Sequence, residues 1–169
     1  MNAIYLLADA PDLIAAGLLR RCHEESITAA GWSVRKLTRL VFVAGQVALQ
    51  QNVHLECIER HWKEQHHQRQ QQQQQQQQKT GDLDQVTGTA EDDFAEMIRM
   101  VREAELLYSE DGMLRPYLHL TLDILRTPTT AHQSAQLQRT AALALGKMMS
   151  VSGRCCQDGL QTLLEAMQG

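Results

Sequence analysis

The chain has 169 residues, 43% of them apolar and only 4% aromatic, with a formal net charge of −4. That length holds one ordinary domain with a sizeable core, and with so few rings the packing falls to Leu, Ala, Met and Val, which excludes an aromatic-rich β-sandwich and suits stacked helices. The charge excludes a generally polyanion-binding surface: residues 1–64 balance seven basic against seven acidic groups and residues 81–169 carry seven against thirteen, so any nucleic-acid contact has to be a local patch, for which the N-terminal part is the better place.

In chain order, residues 2–8 read as the tail of a helix ending near Asp9. Pro11 suits the first turn of the next helix, with Asp12 at its positive end. Ile14, Leu18 and Leu19 are its expected buried face, and it should stop before Glu24. Gly31 and Ser33 mark a corner, Ser33 being a good N-cap. From Val34 a long apolar period runs through Leu37, Leu40, Val41, Ala44, Val47, Ala48, Gln51, Leu55, Ile58 and Trp62, predicting a helix to about Glu64. Gly45 lies inside it, where glycine costs stability unless a close backbone approach compensates.

Composition then changes abruptly. Residues 65–78 end in nine uninterrupted glutamines, and Lys79 to Ala90 is polar. With nothing to bury, the segment reads as a disordered insertion, although glutamine is a fair helix former and can prolong the preceding helix by a turn or two. Order is expected to resume at Glu91, with Glu91, Asp92 and Asp93 opposing the dipole at a helix start and Phe94, Ile98 and Val101 on the buried face. After a loop at Ser109–Gly112, Leu114, Leu118, Leu122 and Leu125 form a four-residue stripe with Pro116 in its first turn. Leu137, Ala141, Leu145 and Met148 then define another helix, crowded by Ala142, Ala144 and Gly146 so that a second backbone can come close. A Ser150–Gly153 corner leads to a last helix with Cys156, Leu160, Leu163, Leu164 and Met167 on its expected inner face.

Two apolar-faced helices joined by so short a corner make an αα-hairpin, which cannot bury its own face and needs a like neighbour. The fold class expected is therefore all-α: an α-solenoid of HEAT- or armadillo-like hairpins, about six or seven helices in all. It divides into repeats over 1–64, the disordered polyglutamine and polar insertion over 65–90, and repeats over 91–169.

Catalytic signals are missing. There is no Gly-rich phosphate loop, no Gly-x-Ser-x-Gly elbow and no His-Glu-x-x-His. Cys57 and His61 have the spacing of a helical metal pair, but no second pair accompanies them. The four cysteines (Cys22, Cys57, Cys155, Cys156) show no disulfide-scaffold density, and no signal peptide or long apolar run occurs, so reduced thiols in a cytosolic or nuclear protein without a membrane segment are expected. Cys156 reads as a small core residue. Cys155, near a helix N-terminus, is a candidate for a lowered thiol pKa, but with no base beside it a structural role is the favoured reading. Arg20, Arg21, Arg35, Lys36 and Arg39 cluster about one corner and are the candidate contact to a DNA phosphate backbone; Glu24 and Glu25 nearby favour the plainer reading, scattered surface charge. Neither a catalytic residue nor a cofactor is expected.

Three stretches resemble the condensin subunit 1 family, the D2-type non-SMC HEAT-repeat subunits. Gly45-Gln46-Val47-Ala48 with Val53-His54-Leu55-Glu56 is similar to that family's Gly-x-Val-Ala-x-x-x-x-Val-x-Leu-Glu helix. Arg102-Glu103-Ala104-Glu105-Leu106-Leu107-Tyr108, after the acidic Glu91-Asp92-Asp93, is similar to its Arg/Lys-Glu-x-Glu-Leu-Leu-Tyr. Leu137 to Leu145, with Met149-Ser150-Val151-Ser152, is similar to its Leu-x-x-x-Ala-x-Leu-Ala-Leu-x-x-x-Met-Cys-Val-Ser, Ser150 standing for the usual Cys, Gly153 for a usual Ser and Gln46 for a common His. The resemblance covers most of residues 33–167 in order. It implies a non-catalytic scaffold that binds the kleisin and SMC subunits of condensin and helps the ring engage DNA or chromatin in mitotic chromosome condensation. It also implies a nuclear and chromosomal location (cytoplasmic outside mitosis) and a chain that is part of a longer protein. The alternative is another HEAT- or armadillo-type adaptor holding a peptide in its groove; an enzyme working through Cys155 has only that thiol behind it.

Overall fold

The computed structural model describes residues 2–28, 31–76, 84–127 and 135–168. In order they form α1 (Asn2–Leu7), α2 (Pro11–Ser26), a two-residue antiparallel ladder of β1 (Ile27–Thr28) and β2 (Gly31–Trp32), α3 (Val34–Gln76) and α4 (Asp84–Met100). A π-helical turn (Val101–Glu105) then runs into α5 (Leu106–Tyr108), followed by α6 (Arg115–Arg126), α7 (Ala135–Met149) and α8 (Gly153–Gln168). The architecture is all-α, an α-solenoid of HEAT-like helical hairpins. The ladder pairs Ile27 with Trp32 and Thr28 with Gly31, and does no more than close the corner between α2 and α3.

The hairpins stack through α3 and α7, which share the most extensive contact in the molecule. α2 packs on α3, and α7 is flanked by α6 and α8. Leu40, Val41, Ala44, Val47 and Ala48 of α3 meet a core that includes Leu137, Ala141, Ala144, Leu145 and Met148 of α7, all buried. Gly45 explains how the two axes come so close. A Cβ there would stand 2.8 Å from Ala144 Cα and 2.9 Å from its Cβ, well inside ordinary carbon–carbon contact. The glycine that looked costly in the sequence is the point where two helix backbones touch. Gly112 is fixed for another reason: a Cβ would lie 2.5 Å from the Glu105 carbonyl oxygen, in the turn that reverses the chain after α5.

Several expectations are corrected. α8 turns its larger apolar residues outward: Leu160, Leu164 and Met167 are exposed and Cys156 is only half-buried, while Cys155, Gly159 and Thr162 are buried. α2 likewise buries Pro11, Ala15, Leu19 and Ser26, leaves Ile14 exposed, and runs to Ser26 rather than stopping before Glu24. In both helices the small residues mark the side where a neighbour approaches. α3 does not end near Glu64 but continues to Gln76, and α4 begins at Asp84 rather than at Glu91. The stretch expected as a disordered insertion, 65–90, is thus helical over 65–76 and again from Asp84, while 77–83 lies outside the described residues. Favourable helix propensity of glutamine and local pairs such as Gln65 Nε2 with His61 Nε2, 2.8 Å apart, account for the extension. Trp62 stacks on His66 of the same helix (centroids 4.8 Å) and on Phe94 of α4 (4.4 Å), tying the two helices together just before the extension past Glu64. Glu91, Asp92 and Asp93 therefore lie inside α4 and not at its first turn, so capping does not explain them; Glu91 faces His67 at 3.8 Å.

Candidate interaction surfaces

The five basic residues divide between two elements, Arg20 and Arg21 on α2 and Arg35, Lys36 and Arg39 on the first turns of α3, and all five are exposed. Arg35 and Arg39, four apart, share one face. With Thr38 and with Gln136 in the first turn of α7 they line an open cavity of about 570 Å³. The Thr38 hydroxyl donates to the Val34 carbonyl at 2.8 Å, so it is turned back onto its own helix. Arg20, Arg21 and Lys36 do not line that cavity. Arg20 lies close enough to Tyr117 of α6 for its charge to oppose the rise that burial gives that phenol. The structure therefore brings two of the five arginine and lysine side chains into a concave setting and spreads the rest around the corner. None of the five makes an ion pair among the described residues.

A second constellation was not anticipated from the sequence. The π-helical turn sends Arg102 towards α3, its guanidinium 3.9 Å from Glu59, and Glu103 towards the start of α8. The Glu103 carboxylate accepts hydrogen bonds from the Gly153 N–H (2.9 Å), the Arg154 N–H (3.2 Å) and the Ser152 hydroxyl (2.7 Å). Ser152 Oγ in turn accepts the Cys155 N–H at 3.2 Å. The first three N–H groups of α8, orphaned in any helix, are all satisfied by two side chains, one of them from fifty residues away. The Ser152 hydroxyl and the two backbone N–H groups hold the Glu103 carboxyl below its ordinary range. Beside this cap, the Tyr108 hydroxyl donates to Asp158 at 2.9 Å, and the Arg154 guanidinium lies 4.0 Å above the Tyr108 ring. Only a motif with an acid at 103 hinted at this; a partner fifty residues away has no local signature.

Cys155 is the buried thiol of the pair, 1% exposed, and desolvation pushes its pKa up to about 11. Burial and the neighbouring acids outweigh the helix N-terminus at Cys155, which agrees with a structural part for that thiol; what is corrected is which of the pair sits in the core, Cys155 and not Cys156. Cys57 and His61 lie exposed on the rim of a groove of about 710 Å³ with Tyr5, Leu6, Trp62 and Phe94. No group of three His, Cys, Asp or Glu side chains among the described residues is arranged to hold a metal ion, and no described helix is long and apolar enough to cross a membrane.

What these features define is a helical-repeat protein. The three family-like stretches also meet one another: Gly45 of the first touches Ala144 of the third, and Glu103 of the second caps Ser152 of the third. No family model matches the chain. It is 28% identical to condensin complex subunit 1 of Saccharomyces cerevisiae over 99% of the chain and 16% of that protein. To condensin complex subunit 1 of Schizosaccharomyces pombe it is 31% identical over 79% of the chain and 12% of that protein. To the Homo sapiens protein of that name the figure is 29%, over 99% of the chain and 14% of the relative. The chain belongs to the condensin subunit 1 family, and spans 12–16% of the length of these curated relatives.

Proposed function

We propose that the chain serves as a non-catalytic scaffold segment of a condensin complex, binding the kleisin subunit and helping the SMC ring engage DNA during mitotic chromosome condensation, in the nucleus and on chromosomes. The observation that carries this reading is similarity to condensin complex subunit 1 over 99% of the chain in both yeast and human relatives. Physical support comes from the architecture: stacked hairpins give an extended, flexible contact surface. Burial of Cys155, which raises its pKa, takes support from the alternative of an enzyme working through that thiol. DNA contact rests on Arg35 and Arg39 in their open cavity, which suit a phosphate backbone without sequence preference.

Duplex binding measured as a function of salt tests the DNA part. Each phosphate neutralised contributes about 0.9 to the slope of log K against log salt, so Arg35→Glu with Arg39→Glu should flatten that slope by about 2. An unchanged slope means that the patch is only solvated surface. Co-elution of the chain with purified kleisin on size exclusion tests the protein partner; separate elution at micromolar concentrations counts against it.

A further inference from the structure

Between α5, α6 and α8 lies a cavity of about 350 Å³. Part of its lining is apolar: Leu118 and Cys155 are buried and Leu122 is half-buried. On the α8 side the Asp158 carboxylate accepts the Tyr108 hydroxyl at 2.9 Å and lies 3.8 Å from the Arg154 guanidinium, so this acid is already paired twice. On the α6 side the lining includes His119 and Arg126, both exposed. Seven residues apart, they share one face of the helix and are displaced by about 10 Å along its axis. Neither makes an ion pair among the described residues, although Asp123 lies between them in the chain. The walls all come from elements of this chain. The exposed Leu160 and Leu164 of α8 lie about 140° and 180° round the helix from Cys155, so a further helix stacked on α8 would meet that far side rather than the cavity.

We propose that this cavity anchors a large apolar side chain from an acidic segment of a partner protein. The anchor would rest on Leu118, Leu122 and Cys155, and the flanking Asp or Glu residues would meet Arg126 and His119. Charge complementarity selects the occupant: the one acid of the lining is neutralised by Tyr108 and Arg154, whereas the two basic side chains are left for a carboxylate and set its direction across the cavity. The volume, at the low end of the range of about 300–1,000 Å³ for ligand sites, suits one large side chain and its neighbours rather than the face of a helix. A small metabolite would need several convergent polar groups to orient it, and those on the α8 side are already bonded to one another. A phosphate backbone would have no use for the apolar floor. This inference rests on the scaffold reading, since it names the chemistry of one partner segment.

The test uses a fluorescein-labelled peptide of about ten residues, which when extended outspans the distance between the two basic side chains. It carries one central Phe with Glu on both flanks in a Gly-Ser background. In one control every Glu is replaced by Lys, and in a second the Phe is replaced by Ser. Anisotropy against the whole chain should show the acidic Phe peptide binding at least about tenfold more tightly than either control, and His119→Gln with Arg126→Gln weakening it by about tenfold. Both substituted side chains are exposed, so the far-ultraviolet circular dichroism of the variant should stay that of the wild type. Equal binding of the acidic peptide and either control, no binding by the wild type, or indifference to the substitutions overturns the proposal; so does a homodimer in sedimentation that the same substitutions break. Capture of condensin subunits by the wild-type chain separates the two readings. If capture fails, the scaffold reading falls; if it succeeds while the peptide does not bind, the cavity assignment alone falls.

Discussion

Replacing Gly45 by Ala should destabilise the protein, although glycine is the poorer helix former. In an exposed helix interior the substitution is worth about 1 kcal/mol in favour of alanine. At this position the new methyl would lie 2.8 Å from Ala144 Cα, whereas carbon atoms settle at about 3.5–4.0 Å. Backbone cannot rotate away as a side chain does, so α3 and α7 have to separate by something under 1 Å. A gap of that order loses about a quarter to a half of the attraction at each affected atom pair, along the most extensive helix contact in the molecule. Overpacking of this kind costs about 1–3 kcal/mol; after subtracting the propensity gain of about 1 kcal/mol, the net loss is about 0–2 kcal/mol, or a fall of up to a few degrees in Tm at this chain length. Gly146→Ala is the internal control, because nothing lies within 4 Å of its Cβ; it should raise Tm slightly. Thermal melts followed by circular dichroism at 222 nm read both. If Gly45→Ala is as stable as Gly146→Ala, the close approach of α3 and α7 is not what holds the hairpins together.

Three further outcomes follow from the same geometry. Glu103→Gln should cost about 1 kcal/mol at neutral pH by weakening the cap on α8. Because the Glu103 carboxyl titrates lower in the folded chain than its unfolded value of about 4.3, its contribution is present above that value and is lost as pH falls through the folded one. Stability curves of wild type and variant should therefore converge in acid; a gap that stays constant down to pH 3 would refute the assignment. Alkylation of the native chain at mildly alkaline pH should label exposed Cys57 first and Cys155 last, by peptide mass mapping, and equal rates would contradict the burial of Cys155. Phe94→Ala removes the ring stacked on Trp62 and should cost about 1–3 kcal/mol while altering tryptophan emission; unaltered emission and stability would mean that α4 does not rest on α3 there.

The helical hairpins were legible in the sequence because four-residue apolar spacing survives in α6 and α7, where Leu118, Leu125, Leu137, Ala141, Leu145 and Met148 are all buried. Which side of a helix faces inward was less legible. In α8 the eye follows Leu160, Leu164 and Met167, yet Gly159 lies inside, where a Cβ would meet Leu145 Cδ1 at 3.2 Å. In α2 the same happens with Ala15 against Ile14. Close helix approach selects small residues there, and the larger ones point away from it. The start of α4 was placed seven residues late, because acidic residues suit a first turn and equally an exposed helix face. The cap joining Glu103 to Ser152 was not legible because its partners are 49 residues apart, and nothing read in the sequence marked the π-helical turn over Val101–Glu105. Of the basic cluster, Arg35 and Arg39 line one cavity, and nothing local placed Gln136 of α7 beside them.

Affinity purification of the tagged chain from dividing cells, read by quantitative mass spectrometry, tests most directly whether this stack of helices works as a condensin part. SMC and kleisin chains should be enriched together, and in constant ratio to one another. Enrichment of a transport, kinase or phosphatase assembly with neither of them would contradict the account.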